Sequence, residues 1–171
     1  MEKWQNFFLQ RMGTDSYSIP YPVFESVSQW GIWCKDIPFR VFGKVKEPAK
    51  RQWPDEHGDD EYISSDGLYL EAYEMKVEFA CKKTESLTDV RVAVGNFLEY
   101  LRSAGMMKLY SSYTRIGRQN VRLSSVDDNA KWKVQDGVEY LIFSVTFKVN
   151  DPKTDVILTT PSSSSSSSSN E

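Results

Sequence analysis

The segment Trp53–Tyr62, WPDEHGDDEY, puts five carboxylates and the only histidine of the chain within ten residues. Carboxylates and imidazole bind hard and borderline cations, and they are the usual acids and bases of hydrolysis. The spacing argues against both uses. An EF-hand loop needs ligands at alternate positions, a central glycine and a closing glutamate. Here the acids come as the adjacent pairs Asp55-Glu56 and Asp59-Asp60, and no helical pattern flanks them. A two-metal nuclease draws converging carboxylates from separate elements of its fold. His57 stands among acids that favour its charged form, with no nucleophile fixed beside it. The segment therefore reads as a charge-rich connection between strands, or as an acidic surface that acts collectively when repeated around an oligomer.

The other reactive residues are no better placed. Cys34 and Cys81 are too few and too far apart for a zinc set or a disulfide framework. Cys81 falls on the apolar face of a predicted strand, where burial makes a thiol inert. The basic turn Arg115-Ile116-Gly117-Arg118 lacks both phosphate-binding glycine frames. With Arg122, Lys108, Lys131 and Lys133 it makes the later half of the chain locally basic, while the acidic segment lies in the earlier half. Such a split allows a head-to-tail contact in which the basic face of one copy meets the acidic loop of the next and closes a ring. No catalytic residue, metal ligand or cofactor is expected.

The elements that would position these residues follow from periodicity. Trp4, Phe7, Phe8 and Arg11 have helical spacing and predict a short helix over Glu2–Arg11, ended by Gly13. An aromatic-rich irregular stretch follows, in which Pro20 and Pro22 forbid a regular helix. Alternation predicts strands over Ile37–Val45 and over Leu68–Lys82, the latter long enough to project as an arm, with a bulge or bend near Glu71. Leu87–Ala104 predicts one main amphipathic helix. Its stripe is Val90, Val94, Phe97, Leu98 and Leu101, with a cap at Ser86/Asp89, Gly105 at the C-cap, and Gly95 placed for close approach to a sheet. Met107–Tyr113 reads as a short strand or turn and Asn120–Val126 as a strand. Ala130–Val134 and Val138–Val149 flank the hairpin signal Gln135-Asp136-Gly137, and Asp155–Thr159 predicts a short edge strand. The fold class is α+β, a mostly antiparallel sheet with one main amphipathic helix packed on a face.

Composition sets the outer limits. The 171 residues are 40% hydrophobic with net charge −3, which fits one globular domain and not a general nucleic-acid binder. No apolar run is long enough to span a bilayer, and the first residues lack a secretory pattern, so cytoplasmic synthesis is expected. The run Ser162–Ser169 buries nothing and is expected to be disordered. The resulting division is an aromatic-rich segment over 1–36, an α+β domain over 37–160 and a polyserine tail over 161–171.

The strand LYLEAYEMKVEFACKK, the helix TDVRVAVGNFLEYLRSAG, and RIGRQNVRLSSV followed by YLIFSVTFKVNDP together resemble the layout of the tail-terminator (tail-completion) proteins of long-tailed bacteriophages. The likeness covers roughly Ile37–Leu158. It implies a non-enzymatic virion protein that forms a ring, a hexamer, joining the tail tube to the neck or connector. DNA would pass through without specific binding. On this reading Asp55, Glu56, Asp59 and Asp60, with Arg115, Arg118 and Arg122, line either the lumen or the contact between copies. The alternatives are another neck or head-closure protein, a metal-dependent nuclease or hydrolase using Asp55–Glu61, and a monomeric module gripping a partner with its aromatic segment.

Overall fold

In the computed structural model, residues 4–83, 89–127, 129–156 and 158 are described. Ten strands and two helices follow the order β1 (Phe7–Arg11), β2 (Val23–Glu25), α1 (Ser26–Trp30), β3 (Ile32–Cys34), β4 (Ala49–Arg51), β5 (Asp60–Tyr62), β6 (Tyr73–Lys82), α2 (Val90–Ala104), β7 (Met107–Ser111), β8 (Gly117–Val126), β9 (Lys131–Gln135) and β10 (Val138–Val149). The fold is α+β, as expected.

Eight strands make one sheet in the order β2-β1-β7-β8-β10-β6-β3, with β9 also paired to β10. Each of these pairings is antiparallel. The sheet then curls back on itself. Gln5, just before β1, exchanges backbone hydrogen bonds of 2.8 and 2.9 Å with Cys34 of β3. Inside the curl, the rings of Phe7 on β1 and Phe79 on β6 lie 5.2 Å apart between centroids. The core fills this interior with the inward residues of β6 and β10, such as Met75, Val77, Phe143 and Phe147. Each of these alternates with a polar neighbour, which is the period of two read from sequence.

Helix α2 turns Val90, Ala93, Val94, Phe97, Leu101 and Ala104 inward. Phe97 reaches Phe7, Phe79, Phe143 and Trp30 at centroid distances of 5.4 to 6.2 Å. Asp89 caps the helix by accepting from the Val92 amide at 3.1 Å; Ser86 lies outside the described residues. Gly95 is a correction. A Cβ there would meet nothing within 4 Å, so no close approach to the sheet requires glycine. Gly95→Ala is therefore expected to stabilise the protein by about 1 kcal/mol, because alanine restricts the unfolded chain and favours the helix. Urea denaturation measures it, and a loss of stability would contradict the open surroundings.

Several other expectations are overturned. Residues 7–11 form strand β1, not a helix. Phe7 and Leu9 face the core, both edges are paired, and buried Gln10 donates from Nε2 to the Tyr21 carbonyl at 2.8 Å. The irregular aromatic stretch contains β2, α1 and β3. Helix α1 starts where the Glu25 carboxylate accepts from the Val27 and Ser28 amides, and it stops at left-handed Gly31. Because β1 to β3 belong to the main sheet, that sheet runs across the boundary expected at residue 36. Ile37–Val45 is not a strand; its one ladder contact is Val45 with Leu70. Pro38 removes a donor, and Val41 and Phe42 point to solvent, so the alternation has no neighbouring strand to serve.

Strand β6 starts at Tyr73, after the break expected near Glu71, and lies between β10 and β3 without projecting. The hairpin of β9 and β10 turns as read, through Asp136 and Gly137 with φ of 52° and 75°. Near the C-terminus, Asp155 makes a single bridge to Arg118. Residues 157 and 159–171, with the polyserine run, lie outside the described residues.

Candidate functional site

The acidic segment is the tip of a separate two-stranded hairpin, β4 and β5, that rises from the sheet as an arm. Its root is pinned by the Lys46 amide donating to the Tyr69 carbonyl and the Glu71 amide to the Lys44 carbonyl, each 2.7 Å. Beyond that root, residues 49–63 are all exposed. Proline at 48 and 54, Gly58 and the run of charges leave the arm little to bury. Its own contacts hold its shape. Arg51 stacks 3.7 Å over the Trp53 ring, and Gln52 Nε2 donates to Asp59 Oδ1 at 2.8 Å. The Lys50 ammonium lies 3.5 Å from both Glu47 and Asp59, whose charges hold it above its ordinary pKa, Glu47 the more strongly. Among the described residues no three His, Cys, Asp or Glu side chains are grouped to hold a metal ion.

The arginines separate into two kinds. Arg115 is exposed, and Arg122 is half-buried, with Nη1 donating to the Leu123 carbonyl at 3.0 Å. Arg118 turns inward and is 3% exposed. It pairs with Asp155 and donates to the Gly117 and Arg40 carbonyls at 3.0 and 3.1 Å. Its position corrects the expectation that it is available at a surface: it ties β8 to the segment ahead of the arm, at Arg40, and to the C-terminal segment. Among the described residues, no ion pair joins Asp55, Glu56, Asp59 or Asp60 to any of these arginines within one chain.

A second surface was not read from the sequence. On the outer face of the sheet, Lys133, Tyr140 and Lys82 stand in one row across β9, β10 and β6. Lys131, Ile142, Ala80 and Trp33 make the adjacent row, continuing onto β3. With Trp4, Gln135 and Asp136 these rows, Lys131 apart, border an open groove of about 620 Å³. The signal was present in the last strand, where Tyr140 and Ile142 occupy alternate positions that a solvated face fills with polar residues, as Ser144, Thr146 and Lys148 do further along.

Among solved structures the chain is similar to the SPP1 Dit (gp 19.1) protein, described as a paradigm of the hub adsorption apparatus in phages infecting Gram-positive hosts. The TM-score is 0.49 and the identity 14%. The match covers 85% of this chain and 50% of that one, so the chain spans about half the length of the protein it matches. A likeness of that size assigns neither family nor activity. No family model and no curated protein matches the sequence.

The cysteines are placed against chemistry. Burial, with a smaller push from the Asp36 charge, raises the Cys34 thiol to about 12, and burial raises Cys81 to about 11. Both are fully covered. At pH 8 the native thiols are expected to react with a disulfide reagent at least about 100-fold more slowly than in denaturant, because the thiolate is the nucleophile. Rapid labelling of the folded chain would contradict this placement.

Proposed function

We propose that the chain is a non-enzymatic structural subunit of a bacteriophage tail, which assembles with its own copies into a ring and acts by protein–protein contact. The observation that carries this reading is the arm. Residues 49–63 form an ordered hairpin with no core of its own, and Tyr62, Ile63, Leu68 and Tyr69 stay exposed along it. A single hairpin is marginally stable in water, and an exposed apolar stripe of this kind marks a surface that a partner covers. The resemblance in element layout to tail-terminator proteins directs the choice of assembly. It gives a hexameric ring between the tail tube and the neck, with DNA passing through and not bound. A neck or head-closure connector would use the same contacts, and the two positions differ in what they touch.

Size-exclusion chromatography with light scattering at micromolar concentration tests the ring. The full chain is expected as a closed oligomer, and a variant with residues 52–59 replaced by a two-residue Asn-Gly turn is expected to be folded and less assembled. A wild type that stays monomeric, and that forms no ring when added to polymerised tail tube, would sink the ring reading. Added to polymerising tube subunits, a terminator fixes tube length, whereas a neck connector leaves it unchanged.

A further inference from the structure

We infer that the groove on the outer face of β6, β9 and β10 is the receptor for the acidic arm tip of a second copy of this chain. The inference rests on the ring reading and names the contact that would build it. The receptor is cationic and aromatic: Lys82 and Lys133 flank Tyr140, Lys131 stands beside Ile142 in the adjacent row, and Trp33 and Trp4 form the far wall. Among the described residues none of these three lysines has an ion pair or a side-chain hydrogen bond, so their charge is uncommitted. Among the described residues Asp136, at the turn, is the one acid on the groove's border.

The arm tip is the complement. It carries Asp55, Glu56, Asp60 and Glu61 without an ion pair among the described residues, beside the flat Trp53 ring. No arm residue borders the groove of its own chain. From its root near Val45 to the turn that begins at Pro54 the arm has nine residue steps, an upper limit of about 30 Å of reach. That length is wasted on a monomer and suits a neighbour.

The contact is heterologous: tip and groove are different surfaces, so each copy offers both and a rotation that closes makes a ring. Opposite charge fixes the partner and register, while the aromatic wall supplies apolar area at the centre. A groove of lysines and aromatic rings also matches the chemistry of single-stranded nucleic acid. The net charge of −3 and the acidic tip on the same chain favour the peptide.

Two measurements decide it. A fluorescein-labelled peptide of residues 49–63 is titrated with the full-length protein and read by anisotropy. Binding is expected to weaken at least tenfold in K82E/K133E and to return for a D55K/E56K peptide against that variant, the pattern of a charge swap. In parallel, assembly is followed by sedimentation velocity. K82E/K133E and D55K/E56K are each expected to lower assembly, and their combination to restore it. If the wild type assembles and both charge-reversed proteins assemble equally well, this contact is wrong while the ring stands. If the wild type is monomeric, the ring reading fails, and the peptide titration still decides the groove: no lysine-dependent binding overturns it. Tighter lysine-dependent binding of a single-stranded oligonucleotide than of the peptide also overturns it, in favour of nucleic acid. Circular dichroism melting of each variant, expected unchanged for these exposed positions, separates lost contact from lost fold.

Discussion

Phe79→Ala is expected to cost about 3–5 kcal/mol, the range for truncating a fully buried aromatic. Phe79 has no solvent exposure and sits where β6 meets helix and sheet. Its ring centroid lies 5.2 Å from Phe7, 5.5 Å from Phe97, 5.6 Å from Phe143 and 6.2 Å from Phe147. Those four rings belong to β1, α2 and β10, so the void opens where three elements join and none can collapse alone. A domain of this size has roughly 5–15 kcal/mol in total, so the variant retains little margin. Phe8→Ala is the comparison. Phe8 is half-buried on the opposite face, 6.3 Å from Tyr110, and is expected to lose about 1 kcal/mol. Urea denaturation at unchanged slope reads both, and equal losses would refute a core centred on Phe79.

The second large effect is expected at a residue that looks dispensable. Asp155 is 86% exposed in its side chain, yet its partner Arg118 is 4% exposed. Asp155→Ala is expected to cost about 1.5–3 kcal/mol, because it strands a guanidinium that keeps its charge and cannot reach water. The Gly117 and Arg40 carbonyls still accept from it but carry no compensating charge. Adding Arg118→Met to Asp155→Ala is expected to recover part of the loss, since an apolar stem of similar length suits the site once the pair is gone. Calorimetry or chemical denaturation of the single and double variants forms the test. A single variant within 0.5 kcal/mol of wild type would mean that solvent reaches the guanidinium.

What the sequence disclosed follows a physical division. Long segments with one covered face were legible: β6, β10 and α2 show their periods because each meets the core along its whole length. The Asp136-Gly137 turn was legible because two consecutive positive φ angles demand those residue types. The short elements were not. Phe7, Phe8 and Arg11 match a helical spacing as well as a strand, and the partners β2 and β7 decide between them. Ile37–Val45 alternates without a neighbour, so its pattern has nothing to report. The acidic segment was visible as charge, but its place at the tip of an arm depends on the pairing of Ala49–Arg51 with Asp60–Tyr62, which shows no alternation. The lysine–aromatic groove is assembled from β3, β6, β9 and β10, and one strand alone shows only a fragment of it.

The seam that closes the sheet sets a timetable for biosynthesis. Strand β1 is made early, yet its partner along the whole of Phe7–Arg11 is β7, about a hundred residues later. At roughly 5–20 residues per second, the ribosome delivers that partner some 5–20 seconds after β1 emerges. Through that interval β1 has β2 as its only strand partner of this sheet, and Phe7 and Leu9 wait for the core that lies under β6, α2 and β10. Strands β8 and β10, which complete the sheet between β7 and β6, come later still, so the seam between Gln5 and Cys34 is expected to close after them. Nascent chains stalled before residue 107 should therefore hold Cys34 open to thiol reagents, and released chains should close it.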